Sequence, residues 1–296
     1  MASEGAERIR AELFEKQKQP RLDLEARRQR WLDEGAEARG PEGTEIEPVD
    51  VDGVSGEWIQ HPESAGEGVF ILMHGGGYVS GGCVTHRNLA SRISAVSGTR
   101  VLVPDYRLAP EHPYPAGLQD VSTFYGALLR EGVLPQHIAI GGDSAGGGLT
   151  ATMLLALRDA GGPLPSSAVM LSPWTDLTVS GESYAERQDR DPIIKRDHLL
   201  EAGVQYAGDM DPAHPYLSPV NADLTGLPPL LVHVGEDEAM FDDSDKFVER
   251  ARAAGVEVEY EAWPEMWHVW HACAPDVPEA DEAIAKIGVF IKAHFH

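Results

Sequence analysis

Five short apolar runs recur along the chain, each set off by glycines, turns or helical stretches: Val69–Met73, Val101–Val103, His137–Ile140, Ala168–Leu171 and Leu230–Val234. Runs this short, with no polar alternation, suit strands buried on both faces of a parallel sheet. Helical patterns lie between them, over Arg87–Val96, Leu118–Arg130, Ala145–Ala160 and Asp242–Ala254. That alternation predicts an α/β fold with a mostly parallel central sheet flanked by helices. Thr44–Asp50 and Glu57–His61 alternate in polarity and read as two short strands around a turn at Asp52-Gly53. Val256–Tyr260 is the last expected strand and Glu279–Ala293 the last helix.

Two stretches stand outside this rhythm. Residues 3–38 are rich in Ala, Glu, Arg, Gln and Leu and read as one or two amphipathic helices, ended by Gly40, Pro41 and Gly43. Residues 176–226 fall between two core strands and are too long for a plain connection. They hold helical material around His198–Tyr206, and with the N-terminal helices they are expected to lie as a lid over the C-terminal edge of the sheet.

Gly142-Asp143-Ser144-Ala145-Gly146 follows the apolar run ending at Ile140 and precedes a helical pattern. A sharp strand-to-helix turn of this kind exposes a serine, and small flanking residues let the backbone pack closely. Ser144 is therefore the expected nucleophile. His74-Gly75-Gly76-Gly77-Tyr78 follows another apolar run. Three successive glycines carry a high entropic cost on folding and make sense where backbone N–H groups must approach a substrate. The N–H groups of Gly76, Gly77 and Ala145 are the expected oxyanion donors, with His74 bracing the loop. A phosphate loop is the competing reading, but G-x-G-x-x-G spacing and a following Lys-Ser/Thr are missing.

Serine activation needs a base, and in a strand–serine–helix fold the acid and then the histidine follow in chain order. His268 lies in the loop after the last strand and is the expected base, with His271 as its competitor. After Val234 come Glu236, Asp237, Glu238, Asp242 and Asp243. Glu236 follows the strand too closely, and Asp242 and Asp243 open a helix and read as caps. Asp237 and Glu238 remain, and composition does not separate them. His268, His271 and Cys273 match no standard zinc spacing, so no metal is expected.

Acidic residues outnumber basic ones 48 to 24, for a formal charge of -24. Phosphate binding requires clustered Lys and Arg, so nucleic acid and anionic membranes are not expected partners; the acid excess serves solubility. No apolar run reaches the length of a membrane span. The charged N-terminus lacks a signal-peptide core, which makes a cytoplasmic location the default expectation. Cys83 and Cys273 form no disulfide framework and are expected to be reduced.

With His74-Gly75-Gly76-Gly77, Gly142-Asp143-Ser144-Ala145-Gly146 and the intervening Tyr106-Arg107-Leu108-Ala109-Pro110-Glu111-His112-Pro113-Tyr114-Pro115-Ala116, the chain resembles the hormone-sensitive-lipase-like carboxylesterases, bacterial family IV. The resemblance runs from about residue 68 to the C-terminus. It implies an α/β-hydrolase fold with a helical cap: residues 1–43 and 176–215 as cap, 44–175 and 216–296 as catalytic domain. The family carries its acid in an Asp-Pro-Leu-x-Asp pattern about thirty residues before the histidine. Glu238-Ala239-Met240-Phe241-Asp242 aligns with it, with Glu in place of the first Asp, and this selects Glu238 over Asp237. The implied activity is hydrolysis of short-chain acyl esters through Ser144, His268 and Glu238, without metal or organic cofactor. Trp174, Trp267, Trp270 and Tyr78 are candidates for the pocket walls. A homodimer through the last edge strand, near Val256–Tyr260, is a further implication. Competing readings are an arylformamidase-like amide hydrolase on the same triad, and a non-catalytic small-ligand binder, whose known examples lack the histidine present here. An interfacial lipase would carry a strongly apolar lid segment, which is not seen.

Overall fold

The computed structural model describes residues 1–38, 40–64, 66 and 68–295. Its centre is an eight-stranded sheet made of β1 (Glu45–Val51), β2 (Val54–Gln60), β3 (Val69–Met73), β4 (Arg100–Pro104), β5 (Ile138–Asp143), β6 (Ser167–Leu171), β7 (Leu230–Gly235) and β8 (Val258–Trp263). The order is β1-β2-β4-β3-β5-β6-β7-β8, with β2 antiparallel to both its neighbours and every other pair parallel. This is the mostly parallel sheet that the alternating runs predict.

The buried strands obey the two-residue period of extended chain. Ile71, Met73, Ile140 and Met170 point to one face, and Phe70, Leu72, Ala139 and Val169 to the other. Each face needs its own cover, and the helices divide accordingly. On the first face lie α4 (Ala116–Arg130), α5 (Ala145–Asp159) and α8 (Phe241–Ala253). On the second lie α3 (Cys83–Ser97) and α9 (Pro278–His294). Burial of each large aliphatic side chain stabilises the fold by about 1.5–3 kcal/mol.

Of the one or two helices expected over 3–38, there are two, α1 (Glu4–Gln17) and α2 (Leu24–Glu37). Ser3 and Asp23 cap them, accepting from the N–H of Ala6 at 3.1 Å and Ala26 at 2.9 Å. Ser3 is also bonded through its N–H and hydroxyl to Glu279, which pins α1 to the start of α9. In α2, Arg28 donates to the carbonyls of Val79 and Ala109 and to the Glu111 carboxylate, holding the helix over the loop after β3.

Between β6 and β7 the chain forms α6 (Ser183–Glu186) and α7 (Arg196–Ala207). Tyr206 of α7 stacks on Tyr78, with ring centroids 3.6 Å apart, and its carbonyl accepts the Tyr114 N–H at 2.8 Å. The insertion thus meets the loops leaving the C-terminal ends of β3 and β4. Among the described residues, no helix is long and apolar enough to cross a membrane.

The sheet order also locates the site. From β3 the chain moves to β4 on one side and then crosses back to β5 on the other. Such a reversal opens a crevice at the carboxyl ends of the two flanking strands, where open α/β sheets bind ligands. The glycine loop leaves β3 there, and Ser144 leaves β5.

Candidate active site

Ser144 joins β5 to α5 at φ 53°, ψ −119°, a conformation rare for a residue with a side chain. Three backbone bonds hold it: its N–H donates to the Leu171 carbonyl at 2.8 Å, and its carbonyl accepts from Trp174 at 2.9 Å and Gly148 at 3.1 Å. The flanking glycines are required by contact. A Cβ at Gly146 would sit 1.9 Å from the Met73 carbonyl oxygen, and one at Gly142 would sit 2.4 Å from the same atom. The bend brings the start of α5 directly against the end of β3.

That packing sets the glycine loop beside the serine. Gly76 and Gly77 have φ of 119° and 64°, open to glycine at little steric cost. The Gly76 carbonyl accepts from Val79 and Ser80 in a tight turn. Among the described residues, the N–H groups of Gly76, Gly77 and Ala145 donate to no protein acceptor. His74 braces the loop as expected. It stacks on Tyr106 with centroids 4.0 Å apart, Tyr106 donates to its carbonyl, and burial pushes its pKa down to about 3.

Asp143, the variable residue of the serine motif, is a participant that sequence reasoning missed. It is buried, pairs with His86 at 3.0 Å and accepts the Gly75 N–H at 3.2 Å. Burial pushes its pKa up, but the charge and hydrogen bond of His86, with His74 and His268, pull it below the ordinary aspartate value. The β5 turn and the glycine loop are thereby locked together. Only a polar residue inside a motif of small ones hinted at this.

His268 follows β8, and its Nδ1 lies 2.8 Å from Glu238 Oε2. Glu238 is fully buried, and its other oxygen accepts from the Ser172 hydroxyl at 3.0 Å and from the Gly235 N–H. Ser172 Oγ in turn accepts the Val269 N–H at 3.1 Å. Ser172 sits one residue past the carbonyl that holds Ser144, so it links the serine turn to the histidine loop. No sequence pattern marked it. The Ser144 hydroxyl makes no side-chain hydrogen bond among the described residues; catalytic hydrogen bonds commonly tighten only when substrate is bound.

Burial opposes a positive charge on His268, but the Glu238 hydrogen bond and charge, with Asp191 and Asp143, outweigh it and hold the pKa above the ordinary histidine value. His271 is different. Its Nε2 lies 3.2 Å from Nδ1 of His233, and burial and the neighbouring histidines drive its pKa well down. It is a buried ring whose hydrogen-bond partner is another histidine, not a carboxylate.

The remaining acids are used otherwise. Asp237 pairs with Arg10 at 3.0 Å and Arg190 at 3.2 Å. Asp242 and Asp243 lie in the first turn of α8, but their carboxylates do not cap it. Asp242 accepts from the N–H groups of Glu182 and Ser183, and Asp243 from those of Thr175 and Asp176 and from the Tyr184 hydroxyl. They fasten residues 175–184 to the start of α8. Of the four aromatic candidates for a pocket wall, Tyr78 and Trp174 lie on the α7 side, with centroids 5.7 Å apart. Trp267 and Trp270 are no more buried than Trp174, but they belong to the core on the other face of the sheet, with α3 and α9.

A buried carboxylate–imidazole pair, a strained serine at a strand end and three unengaged N–H donors form a constellation suited to acyl transfer. Residues 70–272 match the α/β-hydrolase-fold family. An acetyl-hydrolase of Streptomyces hygroscopicus is 41% identical over 244 residues, 82% of this chain and 81% of that protein. The crystal structure of an esterase from the bacterial hormone-sensitive lipase family is 41% identical with a TM-score of 0.96, covering 100% of both chains. That of EstE5, soaked with p-nitrophenyl butyrate, is 39% identical with a TM-score of 0.95 over 99% of each chain.

Proposed function

The chain belongs to the hormone-sensitive-lipase-like esterases of the α/β-hydrolase fold, and from that premise we propose that it hydrolyses short-chain acyl esters through Ser144, His268 and Glu238. The observation that carries the reading is the 2.8 Å bond from His268 Nδ1 to a wholly buried Glu238, on strand-end loops that Ser172 ties to the Ser144 turn. With Nδ1 bonded to the carboxylate, Nε2 is left to accept a proton.

In the first step Ser144 Oγ attacks the ester carbonyl carbon while its proton passes to His268 Nε2. Glu238 fixes the ring and stabilises the imidazolium. The negative oxygen of the tetrahedral intermediate is held by the N–H groups of Gly76, Gly77 and Ala145. Among the described residues they have no protein acceptor, so no hydrogen bond within the protein is broken to engage them. The carbon–oxygen bond to the alcohol then breaks, and the leaving oxygen takes the proton from His268. Water attacks the acyl-enzyme with His268 again as base, and the acid departs.

The helices α1 and α2 with residues 176–215 serve as the cap. Its α7 helix packs on Tyr78 beside the glycine loop, and the ester soaked into EstE5 carries a short acyl chain. The free outer edge of β8 suits pairing with a second copy, and sedimentation would read that directly.

The test is a series of p-nitrophenyl esters from acetate to dodecanoate, run beside N-formyl amides. Short esters should give the highest kcat/KM, and Ser144→Ala should lose on the order of 10⁴–10⁶-fold in kcat. Preference for long acyl chains or for amides, or an active Ser144→Ala protein, would overturn the reading.

A further inference from the structure

We infer that Asp191, in the insertion, is a positioning residue for the triad: its buried carboxylate holds the backbone N–H that follows Glu238 and acts on His268 in the same sense as that residue. The inference rests on the Ser144–His268–Glu238 reading.

Asp191 has no solvent exposure. One oxygen accepts the N–H groups of Ile193 at 2.8 Å and Ile194 at 3.1 Å, and the other accepts the Ala239 N–H at 2.8 Å. The first pair shapes the turn before α7, which a neutral Asn or Ser could shape as well. The third bond is of another kind. It crosses from the insertion to the residue beside Glu238 and fixes the peptide on which that carboxylate is mounted.

The same loop is held at other points by the same segment. Ser183 donates to the Ala239 carbonyl at 2.7 Å, Arg187 lies 3.7 Å over the Phe241 ring, and Arg190 pairs with Asp237. Residues 182–194 therefore form a collar on the acid loop and not a lid free to swing. Within that collar only Asp191 is both charged and wholly buried. Burial pushes the Asp191 carboxyl above the ordinary aspartate value, against the pull of His268 and of the Ala239 and Ile193 N–H groups, and a turn alone would not need a buried acid.

The charged and titratable groups around His268 are Glu238 from the β7–α8 loop, Asp191 from the insertion, Asp143 from the end of β5, and His271 on its own segment. Asp191 acts in the same direction as Glu238, favouring the imidazolium that forms as Ser144 gives up its proton. It touches neither substrate nor reacting atoms.

Asp191→Asn keeps the size of the side chain but removes the charge and one acceptor. Its kcat on p-nitrophenyl butyrate should fall on the order of tenfold or more, with KM near wild type. The acid limb of kcat/KM against pH should move to lower pH. Asp191→Glu, which keeps the charge, should leave that limb in place while lowering kcat. An acid limb unmoved in Asp191→Asn, or a loss confined to melting temperature, would overturn the inference. Should Asp191→Asn fail to fold, hydrogen exchange over residues 236–242 of the wild-type protein decides: slow exchange at Ala239 is expected, and exchange at the rate of an open loop would overturn it. A wild-type profile with no acid limb, or a fully active His268→Ala protein, would instead remove the triad reading beneath it.

Discussion

Asp237 and Glu238 are neighbours in the chain, yet their carboxylates serve opposite sides of one loop. Glu238 turns inward, fully buried, to His268 and Ser172. Asp237 turns outward to Arg10 of α1 and Arg190 of the insertion. Glu238→Ala should therefore lower kcat by roughly 10²–10⁴-fold. Asp237→Ala should keep activity within a few-fold and lose up to about 1 kcal/mol of stability, since its ion pairs are partly exposed. Steady-state kinetics and thermal melts on both proteins check the ranking, and the reverse order would exchange the two assignments.

The second prediction concerns pH. A protonated His268 cannot take the proton of Ser144, so kcat/KM should fall with decreasing pH through a pKa above the ordinary 6.5. Glu238→Gln removes the charge that helps to raise it, so any residual activity should show its acid limb at lower pH. The stability linkage has its own sign. A histidine whose pKa is raised by folding stabilises the fold fully below its unfolded pKa, and that contribution fades as pH rises through the folded value. The melting-temperature gap between wild type and His268→Gln should accordingly narrow from acid to alkaline buffer.

Ser172 is the joint between Glu238 and the histidine loop. Ser172→Ala removes a donor from a buried carboxylate and an acceptor from the Val269 N–H. The expected outcome is a kcat about ten- to hundredfold lower with KM little changed. A rise in KM at constant kcat would place Ser172 in substrate binding instead.

Asp243 should make the fold less stable as pH rises. Burial and the charge of Asp176 push its pKa up to about 8, against the hydrogen bonds from Tyr184 and the amides of 175 and 176. Between the ordinary aspartate value of 3.8 and about 8, the folded state holds a proton that the unfolded state has released. Stability therefore declines across that window. Asp243→Asn mimics the protonated form and should show a flatter dependence of melting temperature on pH. An equal slope in both proteins would mean that Asp243 is ionised in the fold.

Glycine substitutions separate contact from propensity. Gly146→Ala drives a Cβ to 1.9 Å from a backbone oxygen and should cost at least about 3 kcal/mol or abolish soluble protein. Gly126→Ala, inside α4 with its nearest neighbour the tip of Arg130 at 3.4 Å, should stabilise by about 0.5–1 kcal/mol. Thermal melts of the two variants give the comparison.

Much of this architecture was legible in the chain because it follows from local patterns. Strands buried on both faces leave unbroken apolar runs such as Val69–Met73, and helices between them leave a 3.6-residue period. The serine turn announces itself through its glycines. Asp191, Ser172 and Asp143 were not legible, because their partners lie far along the sequence and nothing in a short window marks a buried polar atom as paired. Asp242 and Asp243 show the same limit. Their position in a first helical turn suggests capping, but tertiary contacts with residues 175–184 claim their oxygens. Trp267 and Trp270 read as candidates for the pocket walls, but they join the core on the α3 and α9 face, since composition cannot tell which face a loop aromatic enters.

The parts of the site come from the ends of β3, β5, β6, β7 and β8, spread from His74 to His268. No fragment of the chain can hold more than a portion of them. On the proposed reading, the polypeptide should stay chemically inert during synthesis until the loop after β8 has docked. Returning hydrolysis during renaturation should clock the joining of all five strand ends, whereas circular dichroism would register helix formation separately.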